Sequence, residues 1–144
     1  MTRTEVINDP ARIAANPNML SINMAMQVDL FAQANASFIG DVIYSGLGGQ
    51  PDFVSGALHS PGGHALVALH AWHAKTDTSA VLPVLTNPVT SFQHSAIISE
   101  LGCAELFGRS QQAQARLIIE RVADPRARDG LCRAVETLGL GRSR

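Results

Sequence analysis

The sequence predicts a single α/β domain spanning residues 1–144, with a central, mostly parallel sheet flanked by helices. Three observations carry that prediction. Upstream of Glu105, short apolar runs alternate with Gly, Pro, Asn and Ser. Downstream of it the apolar residues fall at helical spacing. The 144 residues are 46% hydrophobic and 16% charged. A chain of that size is one ordinary domain and buries roughly 68–70% of its unfolded surface, so its core needs no staple.

Residues 19–26 and 28–30 alternate polar with apolar side chains and read as strands. Val42-Ile43-Tyr44 is a brief strand running into Ser45-Gly46-Leu47-Gly48-Gly49. Phe53 to Leu58 has helical spacing, with Asp52 as its expected N-cap. Residues 65–69, 80–85 and 95–99 read as three further strands, and continuous apolar runs of that length suit strands covered on both faces. A short helix around Ala104–Phe107 is expected to close at Gly108. Ser110 is placed to cap a helix from Gln111 to about Val122. Pro125 sits at the favoured first position of the last helix, which Gly139 and Gly141 end.

Composition excludes several classes. No run approaches the roughly 18 apolar residues of a membrane span, and residues 1–5 lack the apolar stretch of a secretory signal. The expectation is a soluble, cytoplasmic domain. Residues 1–104 hold three basic groups against seven acids, and residues 105–144 hold eight arginines against five. Arginines spread along helices are usually a solvated face, so no nucleic-acid partner is expected. Cys103 and Cys132 form no CxxC pair and are expected as free thiols in small core positions.

The glycine-rich turn Ser45-Gly46-Leu47-Gly48-Gly49-Gln50 is the first feature that carries chemistry. Glycines there permit positive φ and close backbone approach, and N–H groups ahead of a helix can hold an oxyanion. Taken alone, such a turn is more often a structural bend than a site. Its spacing is not GxGxxG, which rules out a dinucleotide fingerprint. Glu100 closes a buried apolar run, where α/β proteins place ligands, and desolvation there would suit it to acid–base or nucleophilic work. Alternatively it serves the start of the helix that follows. Gln33 and Asn35 are placed to bond a ligand carbonyl, though turn chemistry explains Asn35 as well. His70 and His73 have ligand-like spacing without a Cys or acid to complete a metal set, so no metal is expected. His94 is expected near Glu100.

The order of these segments is specific. Ser21 to Leu30, then Gln33-Ala34-Asn35, then Tyr44 to Phe53 resemble the acetyl-CoA hydrolase/transferase family, which includes 4-hydroxybutyrate and butyryl-CoA:acetate CoA-transferases. Val81-Leu82-Pro83-Val84-Leu85 and the segment Ile97 to Ser110 match it too. The resemblance covers roughly residues 4–138 and only the C-terminal half of those enzymes, which pair two related α/β halves of the NagB/RpiA-like type around the active site. It implies a coenzyme A thioester as substrate, with a carboxylate or water as acceptor and no tightly bound cofactor.

In the family a glutamate attacks the thioester to give a glutamyl-CoA intermediate, and that residue lies upstream of the matched region. By resemblance, Gly48 and Gly49 would donate N–H groups to the thioester oxyanion. Gly46, Leu47, Gln50 and Asn35 would line the acyl-CoA site, with Glu100 near the reacting carbonyl. The sequence departs from the family at Ser99-Glu100-Leu101-Gly102, where members often carry Thr-Glu-Tyr-Gly. It departs again at residues 71–77, where they carry a Lys- and Gly-rich stretch. Both departures bear on acyl and acceptor specificity. The implied function is therefore the C-terminal half of a CoA-transferase or acyl-CoA hydrolase working beside a separate N-terminal-half subunit, and as a homo-oligomer. The alternatives are a non-catalytic CoA-binding or regulatory module, or a truncated relic.

Overall fold

The structure, a computed structural model, describes residues 2–46, 48–89 and 93–141. The chain opens with α1 (Thr4–Ile7) and α2 (Pro10–Ala14). Asp9 caps α2 by accepting the Ala11 N–H at 2.9 Å. Five strands follow: β1 (Leu20–Met24), β2 (Gln27–Asp29), β3 (Ala34–Asn35), β4 (Phe38–Ile39) and β5 (Val42–Ile43). Helix α3 (Gln50–His59) leads into β6 (His64–Ala68), β7 (Trp72–His73), β8 (Thr78–Ser79) and β9 (Val81–Leu82). The chain ends in β10 (Ala96–Ser99), β11 (Gly102–Glu105), α4 (Gln111–Leu117), a π-helical turn (Ile118–Val122) and α5 (Pro125–Thr137). No described helix is long and apolar enough to cross a membrane.

The main sheet has the order β1-β6-β10-β11, with β1, β6 and β10 parallel and β11 antiparallel. A smaller sheet, β3-β2-β9, and the hairpins β4–β5 and β7–β8 complete the strands. The α/β architecture with a mostly parallel main sheet is thus the one the sequence predicts. In register, Ala65, Val67, Ile97 and Ala104 share one face, and all four are fully buried. Val54 and Ala57 of α3 pack on Ala65, and Ile118, Ile119 and Val122 of the π-helical turn join the core around Val67 and Ile97. Each fully buried Val or Ile contributes roughly 1.5–3 kcal/mol.

The opposite face differs from expectation. Leu20, Ile22 and Met24 on β1 are 51%, 59% and 69% exposed, and Leu66, Ala68 and Ile98 beside them are only half-buried. The strands are covered on one face, because an apolar run records what a strand can bury and not what lies against it. Cys103 pairs across from Ile98 on this open face, and Cys132 is exposed on α5. Neither thiol is the core residue the sequence suggested.

Three boundaries are also corrected. Helix α3 starts at Gln50 with Gly49 as its cap and Pro51 in its first turn, so Asp52 lies inside the first turn and not at the cap. The run 80–85 forms a strand only at Val81–Leu82, since Pro83 has no N–H to continue the ladder. Gly102–Glu105 is strand β11, not a helical turn, and a Cβ on Gly102 would stand 2.9 Å from the Arg121 carbonyl oxygen. Close backbone approach therefore explains the glycine. Ser110 caps α4 as its sequence position indicates, and Asp124, directly before Pro125, caps α5.

Candidate functional site at the C-terminal edge of the sheet

Because β1, β6 and β10 are parallel, the segments that follow them leave the sheet at one edge: Met26-Gln27 after β1, His70 to Trp72 after β6, and Glu100 after β10. Helix α3 joins the opposite end of β6 through the turn at Ser60–Gly63, so its glycine-rich start faces back toward this edge. Ligands in α/β folds bind at such an edge.

The glycine turn and the hairpin β4–β5 enclose a cleft of about 380 Å³ lined by Ala34, Ala36, Phe38, Ile43, Gly46 and Gln50, among others. The turn is anchored to the hairpin through Ser37, whose carbonyl accepts the N–H groups of Tyr44 at 2.7 Å and Ser45 at 3.3 Å. Gly48 takes φ +59°, which a side chain would strain, and a Cβ on Gly46 or Gly48 would meet nothing within 4 Å. The backbone is thus open to a ligand. Gly49 provides no side chain to cap α3, and the first-turn N–H groups have no intrahelical acceptors. Leu47 lies outside the described residues.

Asn35 is 1% exposed and supports this cleft from beneath. Its Nδ2 donates to Gln27 Oε1 at 3.0 Å and to the Phe38 carbonyl at 2.9 Å. Its Oδ1 accepts the N–H groups of Ser37 at 3.1 Å and Phe38 at 2.8 Å. Three of these four bonds hold the turn into β4, the second of the two roles its sequence position allowed, and the fourth ties it to Gln27 on β2. Asp29 works in the same way: its carboxylate accepts the N–H groups of Phe31, Gln33 and Leu85, at 2.9, 2.9 and 3.0 Å. Burial pushes its carboxyl up, against the pull of those three bonds.

Glu100 lies in the turn between β10 and β11, and its side chain is 47% exposed, so it lacks the desolvation its sequence position suggested. Both oxygens take the Ala71 N–H, at 3.0 and 3.2 Å, and His70 Nδ1 stands 3.8 Å away. His94 is not beside it. That residue precedes β10 and Glu100 follows it, so the strand separates them. His94 is 2% exposed, and burial pushes its imidazole down against a hydrogen bond with the Ala32 backbone.

A second cleft of about 780 Å³ lies on the other side of Phe38, between the hairpins β4–β5 and β7–β8. His70 and His73 line it, with His73 Nε2 set 2.7 Å from the Met26 carbonyl oxygen. Trp72 and Lys75 line it as well. Both lie in the 71–77 segment that departs from the family, but neither is a candidate site residue by sequence, because the hairpin that turns them toward the cleft spans only residues 72–79 and shows no periodicity. The structure therefore brings Gly46, Gln50 and the Asn35 turn together and leaves Glu100 apart with His70.

A parallel-sheet α/β domain with a glycine turn opening a helix beside an edge cleft belongs to the α/β domains that place ligand sites at the carboxyl ends of their strands. The sequence profile of the "Acetyl-CoA hydrolase/transferase C-terminal domain" matches residues 1–135, and the chain belongs to that family. It is 37% identical to the 4-hydroxybutyrate coenzyme A transferase of Clostridium kluyveri over 131 residues, covering 88% of this chain and 30% of that protein. It is 38% identical to the butyryl-CoA:acetate CoA-transferase of Anaerostipes caccae over 142 residues, covering 94% of this chain and 32% of that one. RipA from Yersinia pestis superimposes with a TM-score of 0.85 at 38% identity, covering 93% of this chain and 31% of that structure. The chain thus spans about a third of the length of the relatives it matches.

Proposed function

We propose that this domain forms the acyl-CoA-facing part of a CoA-transferase or acyl-CoA hydrolase, with the attacking glutamate supplied by sequence outside these 144 residues. The carrying observation is the glycine turn: unobstructed at Gly46 and Gly48, opening α3, and walling a cleft at the sheet edge. In this reading the N–H groups of Gly48 and Gly49 hold the thioester oxyanion, worth about 2.7–4 kcal/mol per donor in other enzymes. Gly46, Leu47 and Gln50 border the acyl group. Asn35 acts as a positioning residue, because its polar atoms are spent on the turn. Glu100 acts through the segment it anchors at Ala71, apart from the glycine turn. The acceptor is a carboxylate or water, and the proposed compartment is the cytoplasm.

The open apolar face of the main sheet supports a partner. Leu20, Ile22 and Met24 lie on edge strand β1, and about two thirds of each relative's length is unmatched by this chain. We take the remainder of the family fold, on a separate N-terminal-half subunit, as what covers this face, with self-association when it is missing.

The non-catalytic alternative, a CoA-binding or regulatory module, draws support from Glu100, whose carboxylate is already bonded to Ala71. One experiment separates the two. CoA transfer from acetyl-CoA to butyrate is assayed with the chain alone and with the N-terminal two thirds of the Clostridium relative. Activity only in the mixture supports the proposal. Acetyl-CoA binding by calorimetry without turnover in any mixture favours the module. Neither binding nor turnover rejects both.

A further inference from the structure

The glycine turn has little of its own to hold it in place. Gly46, Gly48 and Gly49 bring no side chains, so neighbours must impose its position. On the hairpin side the Ser37 carbonyl does this, through the N–H groups of Tyr44 and Ser45. Both bonds lie ahead of Gly48 and Gly49, the donors in the acyl-CoA reading.

The other side of the turn meets Asn8. A Cβ on Gly49 would stand 2.5 Å from Asn8 Nδ2 and 3.5 Å from the Phe53 ring, so the carboxamide fills the space a side chain would take. Gly49 has φ −92° and ψ 5°, a bridge conformation open to residues with side chains. Its backbone therefore does not demand glycine. Gly48 is the reverse case, with φ +59° and nothing within 4 Å of its Cβ position. Conformation accounts for one glycine and the Asn8 contact for the other.

Asn8 is itself held firmly. It is the C-cap of α1, its N–H donating to the Thr4 carbonyl at 2.8 Å, and the next residue, Asp9, caps α2. Helix α2 is locked onto α3 in turn. A Cβ on Gly56 would stand 2.5 Å from Ile13 and 3.1 Å from the Pro10 carbonyl oxygen, and Ile13 is 4% exposed. The segment from Asn8 to Ile13 thus runs along α3 as a strap. It is seated at Gly56 and, about two turns nearer the helix start, at Gly49. Asn8 lines neither cleft, so its effect on a ligand must pass through Gly49.

We propose that Asn8 is a positioning residue of the glycine turn: its half-buried carboxamide braces Gly49 from behind and fixes where the N–H groups of Gly48 and Gly49 point. The proposal rests on the acyl-CoA reading above and adds what holds the oxyanion donors. Such donors act by being preset, and a misplacement of about 1 Å can cost on the order of a hundredfold in rate.

The test measures CoA transfer from acetyl-CoA to butyrate by the chain mixed with the N-terminal two thirds of the Clostridium relative. The parent, Asn8→Ala, Gly49→Ala and the double variant are compared. Asn8→Ala should lower kcat about tenfold and leave KM for acetyl-CoA within about twofold, since the brace touches no substrate. Its melting temperature should stay within about 2 °C of the parent, because the side chain is only half-buried. Gly49→Ala should match it, as the added methyl takes the place of the carboxamide. The double variant should be no slower than the slower single, because all three lose the same contact. Unchanged kcat in Asn8→Ala overturns the proposal, and so does a loss carried by KM instead of kcat. Losses that multiply in the double variant separate Asn8 from Gly49 and overturn it too. Absence of transfer by the parent mixture removes instead the acyl-CoA reading on which the proposal rests.

Discussion

Both carboxylate oxygens of Glu100 accept the same backbone N–H, that of Ala71, across 29 residues of sequence. This bond ties the β10–β11 turn to the segment leaving β6, at the edge where the clefts open. Ala71 is fully buried, so its N–H has no ready substitute in water. Glu100→Ala should therefore cost about 1–3 kcal/mol in urea unfolding. Glu100→Gln, which keeps an acceptor, should cost less than half as much. In the complemented enzyme, the borohydride-trapped thioester adduct should survive Glu100→Gln, and its loss would make Glu100 the nucleophile.

Asn35→Ala should be among the costlier single changes in the chain. It strands the N–H groups of Ser37 and Phe38 and both partners of Nδ2 in a site that is 1% exposed. A loss of about 2–4 kcal/mol is expected by denaturant unfolding. Phe38 would lose its anchor at the same time, so acetyl-CoA affinity should fall at denaturant concentrations where the variant remains folded.

The glycine turn separates stability from binding. A Cβ on Gly46 meets nothing, so Gly46→Ala should melt within about 0.5 kcal/mol of the parent. It should nevertheless weaken acetyl-CoA, because the added methyl enters the cleft. Gly48→Ala must also bear φ +59°, costing about 1–2 kcal/mol. Equal acetyl-CoA affinity for Gly46→Ala and the parent would remove the turn from the site.

His94 should make stability fall on mild acidification. Burial lowers its folded pKa below the unfolded value of 6.5, so the unfolded chain takes up the proton first. The contribution is complete above pH 6.5 and is lost as pH falls through the depressed folded value. His94→Gln should flatten the change in melting temperature between about pH 7 and pH 5. Asp29 acts oppositely at lower pH: its raised folded pKa favours the folded state below 3.8, and that contribution fades as pH rises through the folded value.

The open sheet face predicts self-association of the isolated chain. Ile22→Thr with Met24→Thr should shift sedimentation toward the monomer and change stability by less than about 1 kcal/mol, since both side chains are more than half exposed. The pair should also prevent complementation by the N-terminal two thirds of a relative. Unchanged sedimentation and complementation would exclude this face as the contact.

The sequence by itself determined the α/β class, the main strands, the helix cap at Ser110 and the start of α5 at Pro125. Each of these rests on local spacing or on a side chain bonding a backbone a few residues away. It also marked the glycine turn, since positive φ at Gly48 is a local demand. Tertiary structure alone decided what those pieces face. It gave Asn35 to the turn and Glu100 to Ala71, because hydrogen bonds are assigned by whichever partner packing brings within 3 Å. It set Trp72 against Arg126, 54 residues along the chain, through a hairpin too short to leave a periodic trace. It left one face of the sheet bare, because an apolar pattern states which residues can be buried, and only the neighbouring layer determines whether they are.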